Sequence, residues 1–403
     1  MHRKLKVAHL SDMPTGGAAV AANRLVRGLA TSNEVDVERW VFGKTEVSDL
    51  PAERIALERG RPKTLVERTV RVFSRQGAKS LQRIRQRKAL LRAVATRRPD
   101  VLHLHNLHAS ALRHEDLLTI PRGVRIVWTM HDEWPAAPWA YRWQEPDGQN
   151  CFQGKESTKR QSERAQFFHE RPDVVLVSPS RWLGEQARTH CGNNVRIEVI
   201  PNGLDTKTLT PQPKAESKAC LGLDPDRTWL GLAAASFDRR KGADILRQAV
   251  ALIQNRPLGL AIWGPTDQSI WPSEMLVKQF GFVGSEEMLA RLYSAADLFV
   301  CPSLIDNLPN TVLESMACGT PVVGSNAGGI PEMVHPGLTG WLFKTHDPDS
   351  CASVLQDALQ SEKQWGRYSA NSRALIADDF SIEKQSASYL SLYRSLNCHL
   401  DDA

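Results

Sequence analysis

Apolar residues in this chain gather into short, β-branched runs separated by helix-length stretches. Such runs occur at LKVAHL (5–10), VDVERWVFG (35–43), DVLHLHN (100–106), VRIVWTMHD (124–132), VVLVSPS (174–180) and VRIEVIPNG (195–203). A second series follows at WLGLAAAS (229–236), LGLAIWG (258–264), FGFVG (280–284), DLFVCPS (297–303), PVVGSN (321–326) and GWLFKT (340–345). Short strands alternating with helices imply parallel sheets covered by helices on both faces. The pattern predicts an α/β fold of two Rossmann-like, doubly wound domains in series. Between the two series the chain is polar, carries Pro211 and Pro213, and is poor in β-branched apolar residues. This divides it into domains at 1–205 and 229–380 with a linker at 206–228. Helical apolar spacing returns in FSIEKQSASYLSLYRSL (380–396).

Length and composition agree with this division. The 403 residues are too many for one ordinary core and suit two domains of about 200 residues. No apolar run reaches the ~18 residues of a membrane-spanning helix. The basic N-terminus, MHRKLKVAHLSDMP, has an apolar stretch too short for a signal-peptide core, so a reducing cytoplasm is the expected compartment. The seven cysteines are scattered without a CxxC pair, which argues against a zinc site or a disulfide framework.

Charge changes the picture at one place. Residues 53–98 hold fifteen Lys/Arg against three Glu, although the whole chain is only +6. Leu65, Val66, Val70 and Phe73 form a helical stripe flanked by Arg68, Arg71 and Arg75. Leu81, Ile84, Leu91 and Val94 form a second, beside Arg83, Arg87 and Lys88. Such a segment suits peripheral contact with an anionic membrane, at roughly 1 kcal/mol per basic residue. Nucleic acid is not the expected partner, because it would leave the motifs that follow without a purpose.

Those motifs sit at predicted strand ends. In CPSLIDNLPNTVLESMACGTPVVGSNAGGIPE (301–332), Asp306 precedes Glu314 by seven intervening residues, with a turn and a helix start between them. A helix start offers unpaired N–H groups and a positive dipole to a diphosphate, and carboxylates accept hydrogen bonds from sugar hydroxyls. In ASFDRRKGAD (235–244), Lys241 and Gly242 open a helix where doubly wound sheets bind phosphates. PTGGAAVAANRL (14–25) is a glycine turn entering a small-residue helix and lacks the GxGxxG of a dinucleotide site. His131 and Asp132 end one strand; His105 and Asn106 end another. Metal binding by these histidines is possible on spacing alone.

This ordered set resembles the family-4 retaining glycosyltransferases, which have the GT-B fold. The acidic-x7-Glu spacing is theirs, with Asp306 where Glu is usual, and VIPNGLDTKTL (199–209) and GFVGSEEMLARLYSAADLFVCPSL (281–304) match further segments. The resemblance implies that the helix at 380–400 crosses back onto the N-terminal domain. It implies a nucleotide-sugar donor held mainly by the C-terminal domain and a saccharide acceptor, lipid-linked in cell-envelope polysaccharide or lipopolysaccharide assembly. Lys241, with Arg239 or Arg240, would hold the departing diphosphate; the family's Arg is replaced by Ser236. Asn310 and Thr311 would give N–H groups to the same phosphates, Glu314 would bind ribose, and Asp306 would contact the donor sugar. His131 would orient sugar or acceptor. Gly16, Gly17, Asn307 and Leu308 would line the donor site, with Val283 at the base. The family is metal-independent, so neither metal nor cofactor is expected. The loop 133–155 departs from relatives in its prolines and tryptophans, and its tryptophans are either a sugar platform or core. A non-catalytic partner subunit, or a sugar-nucleotide epimerase or hydrolase, shares the architecture and is the alternative.

Overall fold

Strands form where the apolar runs fall. The computed structural model describes residues 3–12, 16–42, 53–57, 75–108, 110–154, 158–192, 195–234, 238–253, 257–265, 270–273 and 275–397. Its strands are β1 (Leu5–Ser11), β2 (Val35–Phe42), β3 (Glu53–Leu57), β4 (Val101–Leu104), β5 (Arg125–Thr129), β6 (Trp139–Gln144), β7 (Asn150–Gly154), β8 (Val175–Ser178) and β9 (Arg196–Val199). They continue with β10 (Thr228–Ala233), β11 (Leu258–Trp263), β12 (Leu276–Gln279), β13 (Leu298–Cys301), β14 (Val322–Ser325) and β15 (Gly340–Phe343).

Two parallel sheets result, ordered β3-β2-β1-β4-β5-β8-β9 and β12-β11-β10-β13-β14-β15. In each, the chain order reverses beside the first strand, at β1/β4 and at β10/β13. Doubly wound sheets bind ligands just beyond the carboxyl ends of strands at such a switch point. Each sheet is apolar on both faces. Along β5, Ile126 and Trp128 enter one core and Val127 the other. Along β11, Ala261 and Trp263 face one core while Leu260 and Ile262 face its opposite.

The last helix, Ile382–Asn397, belongs to the first sheet's back face. Its Tyr389, Leu392 and Tyr393 are buried there with Val7, Val101, Val127 and Val175. Backbone bonds from Leu204 N to Phe380 O (2.9 Å) and from Ile382 N to Leu204 O (2.8 Å) clip the two crossings together.

Three expectations change. The strand placed at 280–284 lies earlier, at Leu276–Gln279, because Gly281 takes φ +63° and turns the chain. The loop at 133–155 contains an antiparallel hairpin, β6–β7. The basic segment is not purely helical: it opens with the parallel edge strand β3 against β2 and continues as a helix over Arg75–Arg97. The stripe at 65–73 lies outside the described residues. On the helix, the buried face is Gln86, Leu90, Ala93 and Val94, whereas Ile84 is 50% exposed. Arg83 is paired with Glu115 and Asp116. Among the described residues, no helix is long and apolar enough to cross a membrane.

Candidate functional site

A cavity of about 890 Å³ opens between the two sheets at the carboxyl ends of their strands. Loops from both switch points form its walls. On the C-terminal side, the single 3₁₀ turn Arg239–Lys241 follows β10 and gives way to the helix Ala243–Ala251. Gly242 joins them at φ +68°, and a β-carbon there would collide with the Pro302 carbonyl, so only glycine fits.

That turn points two cations at one carboxylate. Lys241 Nζ lies 2.6 Å from Asp306 Oδ2, and Arg240 Nη1 lies 3.6 Å from the same oxygen. Burial pushes the Asp306 carboxyl up, but Lys241 and Arg240 more than offset this and hold it below its ordinary range. Arg240 also donates to the Ile305 carbonyl (3.1 Å) and stacks over the Tyr141 ring at 4.5 Å. Arg239 turns the other way, 69% exposed, to pair with Glu145 at 3.1 Å. Arg240 therefore faces the cavity and Arg239 does not. Ser236 lies outside the described residues.

Beyond Asp306 the chain reaches Pro309 and the helix Asn310–Ala317. Its first-turn N–H groups, at Asn310 and Thr311, have no acceptor within the helix and border the cavity. Glu314 is buried one turn further, accepting from Tyr293 Oη (2.8 Å) and paired with Arg24 Nη1 (2.8 Å). Leu308 lines the cavity and packs into the second domain's core, and Val283 does likewise from the loop after Gly281. Phe282, 77% exposed, borders the same end.

The N-terminal wall is made differently. Gly16, at φ +94°, starts the helix Gly17–Ala30, and both glycines border the cavity. His131 lies beyond the end of β5, with Nε2 3.1 Å from His105 Nδ1. Burial first, and then Arg39, lower the His131 imidazole to about 4 in spite of Asp132 beside it. Trp134 packs against the His108 ring and under the Arg164 guanidinium and lines the cavity, whereas Trp139 is buried and donates to Glu133 (2.8 Å). The loop's tryptophans thus divide between cavity wall and core.

Several predicted ligands also tie the domains together. The Asn307 amide accepts from Ser180 Oγ (2.6 Å) and donates to the Met130 carbonyl (3.4 Å). Asn310 accepts from Asn202 (3.2 Å) and donates to the Gly17 carbonyl (3.1 Å). Sequence reasoning missed Arg24, whose guanidinium spans Glu314 and Glu286 (2.9 Å) across the cleft. Its one sequence signal is a cation set among the small residues of GGAAVAANRL. It also missed Glu332, which accepts from Arg181 N (2.9 Å) and Trp182 N (2.8 Å) at the start of the opposite domain's helix.

His9, His103 and His105 are close enough to share a metal ion. All but one of their nitrogens are already committed: His9 Nδ1 to His105 Nε2 at 3.0 Å, His105 Nδ1 to His131 at 3.1 Å, and His103 to Tyr393 and Thr129 at 2.6 Å each, which leaves His9 Nε2. The Arg39 guanidinium lies beside the set and donates to the His9 carbonyl (3.1 Å), so the cluster is a poor cation site.

Two family models match the chain. One described as Glycosyltransferase Family 4 covers residues 15–208, and one described as Glycosyl transferases group 1 covers residues 229–361. A D-inositol 3-phosphate glycosyltransferase of Mycolicibacterium gilvum is 30% identical over 201 residues, which are 47% of this chain and 45% of that protein. The chain spans about half the length of the curated relatives it matches. Among solved structures, sucrose-phosphate synthase from Thermosynechococcus elongatus superimposes with a TM-score of 0.75 at 21% identity, over 98% of this chain and all of that one (100%). HepE of Anabaena, in complex with UDP and glucose, gives 0.71 at 16% identity over 97% of this chain and 100% of that one.

Proposed function

Since the chain belongs to glycosyltransferase family 4 and has the GT-B fold, we propose that it moves a sugar from a nucleotide-sugar to a saccharide acceptor with retention of configuration. The observation that carries this reading is the convergence on one cavity of Lys241, Arg240, Asp306, Glu314 and an open helix N-terminus. In the reaction, the bond between the sugar's anomeric carbon and the diphosphate breaks, and the acceptor oxygen bonds to the same face. The acceptor's proton passes to the departing phosphate. Charge builds on that phosphate, so the reaction is carried by preorganised groups that stabilise it. Lys241 and Arg240 supply positive charge and Asn310 and Thr311 supply N–H groups. Glu314, with lone pairs beyond those used by Tyr293 and Arg24, accepts from ribose hydroxyls. Asp306 turns from Lys241 to the donor sugar's hydroxyls, and His131 meets the sugar from the opposite wall. Gly16 and Gly17 let the backbone approach the donor, while Leu308 and Val283 pack around it. No metal enters these steps.

The finer reading is that the acceptor is lipid-linked and that 53–98 rests on an anionic membrane at its cytoplasmic face, in envelope polysaccharide assembly. Exposed Arg87, Lys88 and Arg92, with half-exposed Ile84, support it. Sedimentation with vesicles containing phosphatidylserine should carry the protein down at low salt and release it at high salt; equal behaviour with neutral vesicles would count against it.

The transfer reading is tested by incubating the protein with UDP-, GDP-, ADP- and CMP-sugars in EDTA and measuring released nucleotide. Slow release from one donor, with water in place of the missing acceptor and abolished by Lys241→Ala, is the expected result. No release, together with no stabilisation by any nucleotide, would favour a non-catalytic partner subunit. Free sugar formed without acceptor at a full enzymatic rate, about 1 s⁻¹ or more, would favour a hydrolase or epimerase.

A further inference from the structure

Behind His131 the cavity wall continues as a row of imidazoles. Nε2 of His131 lies 3.1 Å from Nδ1 of His105, and Nε2 of His105 lies 3.0 Å from Nδ1 of His9. Successive rings are tilted by only 27° and 20°, with centroids 5.4 and 5.3 Å apart. This is the geometry of near-coplanar rings bonded edge to edge. At the far end, Nε2 of His9 is buried and meets no hydrogen-bond partner among the described residues.

Each contact needs one N–H and one lone pair, so a neutral row has two uniform arrangements. In the first, His9 donates to His105, His105 donates to His131, and His131 keeps its proton on Nδ1. In the second, every proton is reversed, and His9 is left with a buried N–H that bonds to nothing. Buried donors without partners are rarer and costlier than buried acceptors without them, which favours the first arrangement. The surroundings keep the row uncharged. Burial, then Arg39, lowers His9 to about 3, and burial above all lowers His105. His103 packs on the face of His105 and is committed to Thr129 and Tyr393, while Tyr389 bonds Thr129. On the cavity side, His108 is paired with Asp132.

We propose that His105 and His9 are positioning residues that fix His131 as the Nδ1–H tautomer, so that a neutral hydrogen-bond donor faces the substrate. What meets that donor, a sugar hydroxyl, rests on the sugar-transfer reading; the tautomer does not. Because the row ends at a buried nitrogen, it sets polarity and conducts no proton to solvent.

The test is a long-range ¹H–¹⁵N correlation spectrum of the full chain labelled with ¹⁵N-histidine at neutral pH, with His131 assigned from the signal lost in His131→Asn. Protonated Nδ1 and unprotonated Nε2 are expected for His131, His105 and His9. A proton on Nε2 of His131 would overturn the proposal. In His9→Asp, the carboxylate should draw the proton of His105 to Nε2 and reverse the row, moving the His131 proton to Nε2. A folded variant with His131 unchanged would deny His9 its role. Kinetics supply an independent check, because an Asn amide nitrogen falls where Nδ1 of histidine lies and a Gln nitrogen falls where Nε2 lies. His131→Asn should keep at least about tenfold more kcat/KM than His131→Gln, and equal values would contradict the proposal. The spectrum needs no substrate, so a failure of the transfer reading and a failure of the tautomer assignment are separable.

Discussion

The two walls of the cavity reach the same place by opposite routes. The C-terminal wall is drawn mainly from one contiguous stretch, in which Asp306, Asn310, Thr311 and Glu314 follow one another along a turn and a helix. The N-terminal wall is assembled from separate strand ends and helix starts, with Gly16, Asn106 and His131 far apart in the chain. The C-terminal wall carries charge ready to meet a diphosphate. The N-terminal wall presents a neutral imidazole and two glycines beside charges that are paired, Arg24 with Glu314 and Glu286 and Asp132 with His108. In this account the donor's diphosphate is held by charge on one side, and its sugar is oriented by a neutral imidazole on the other.

Breaking the charged side should cost most. Lys241→Ala is expected to lower turnover about a hundred- to a thousandfold, the size of losing one preorganised group at a developing charge. Its melting temperature should fall less than that of Arg24→Ala, because Arg240 still faces the Asp306 carboxylate that Lys241 leaves. Steady-state kinetics beside a thermal melt would check both.

Next comes the bridge between the walls. Arg24→Ala leaves Glu314 and Glu286 facing each other without their shared cation, and breaking a buried pair in this way costs about 3 kcal/mol. Urea unfolding should register the loss, and nucleotide affinity should weaken with it.

The neutral side should show itself in acid. His9 and His131 titrate in the folded protein at about 3 and about 4, against an ordinary 6.5. Above 6.5 neither the folded nor the unfolded state is protonated at these sites. Below it the unfolded chain takes up protons that the folded one refuses, so stability falls as pH drops from about 6.5 toward 4. Replacing His9 with Leu should partly flatten this slope in chemical-denaturation curves; an unchanged slope would remove His9 from the account.

The smallest effect concerns closure. Asn307→Ala removes two bonds between domains, worth about 1 kcal/mol in total closure energy. Small-angle scattering of the unliganded protein should show a modest expansion.

The same contrast explains what could be read from sequence. That Asp306 and Glu314 border the cleft was legible because both lie within one turn-and-helix segment that resembles the family's acidic-x7-Glu motif. Lys241 was readable from its place after a strand. Arg24 was not, because Glu286 lies 262 residues away and only the folded cleft brings them together. Asn307 read simply as a donor ligand, whereas its amide also holds Ser180 and Met130. The choice between Arg239 and Arg240 needed the hairpin β6–β7, whose Glu145 draws Arg239 out of the cavity. That hairpin was hidden in turn, since its alternation is blurred by prolines and tryptophans. Gly281 marked a turn that an apolar run concealed. Parallel strands buried on both faces stood out best, because continuous apolar runs leave no competing pattern.

The central claim is that the charged wall recognises a diphosphate. Calorimetric titration in EDTA of the wild type and Lys241→Ala, with a nucleoside diphosphate and with the corresponding nucleoside, tests it directly. The account predicts that the wild type binds the diphosphate far more tightly than the nucleoside and that Lys241→Ala erases most of that difference. Equal affinity for the two ligands in the wild type, or a difference that survives in Lys241→Ala, would contradict it.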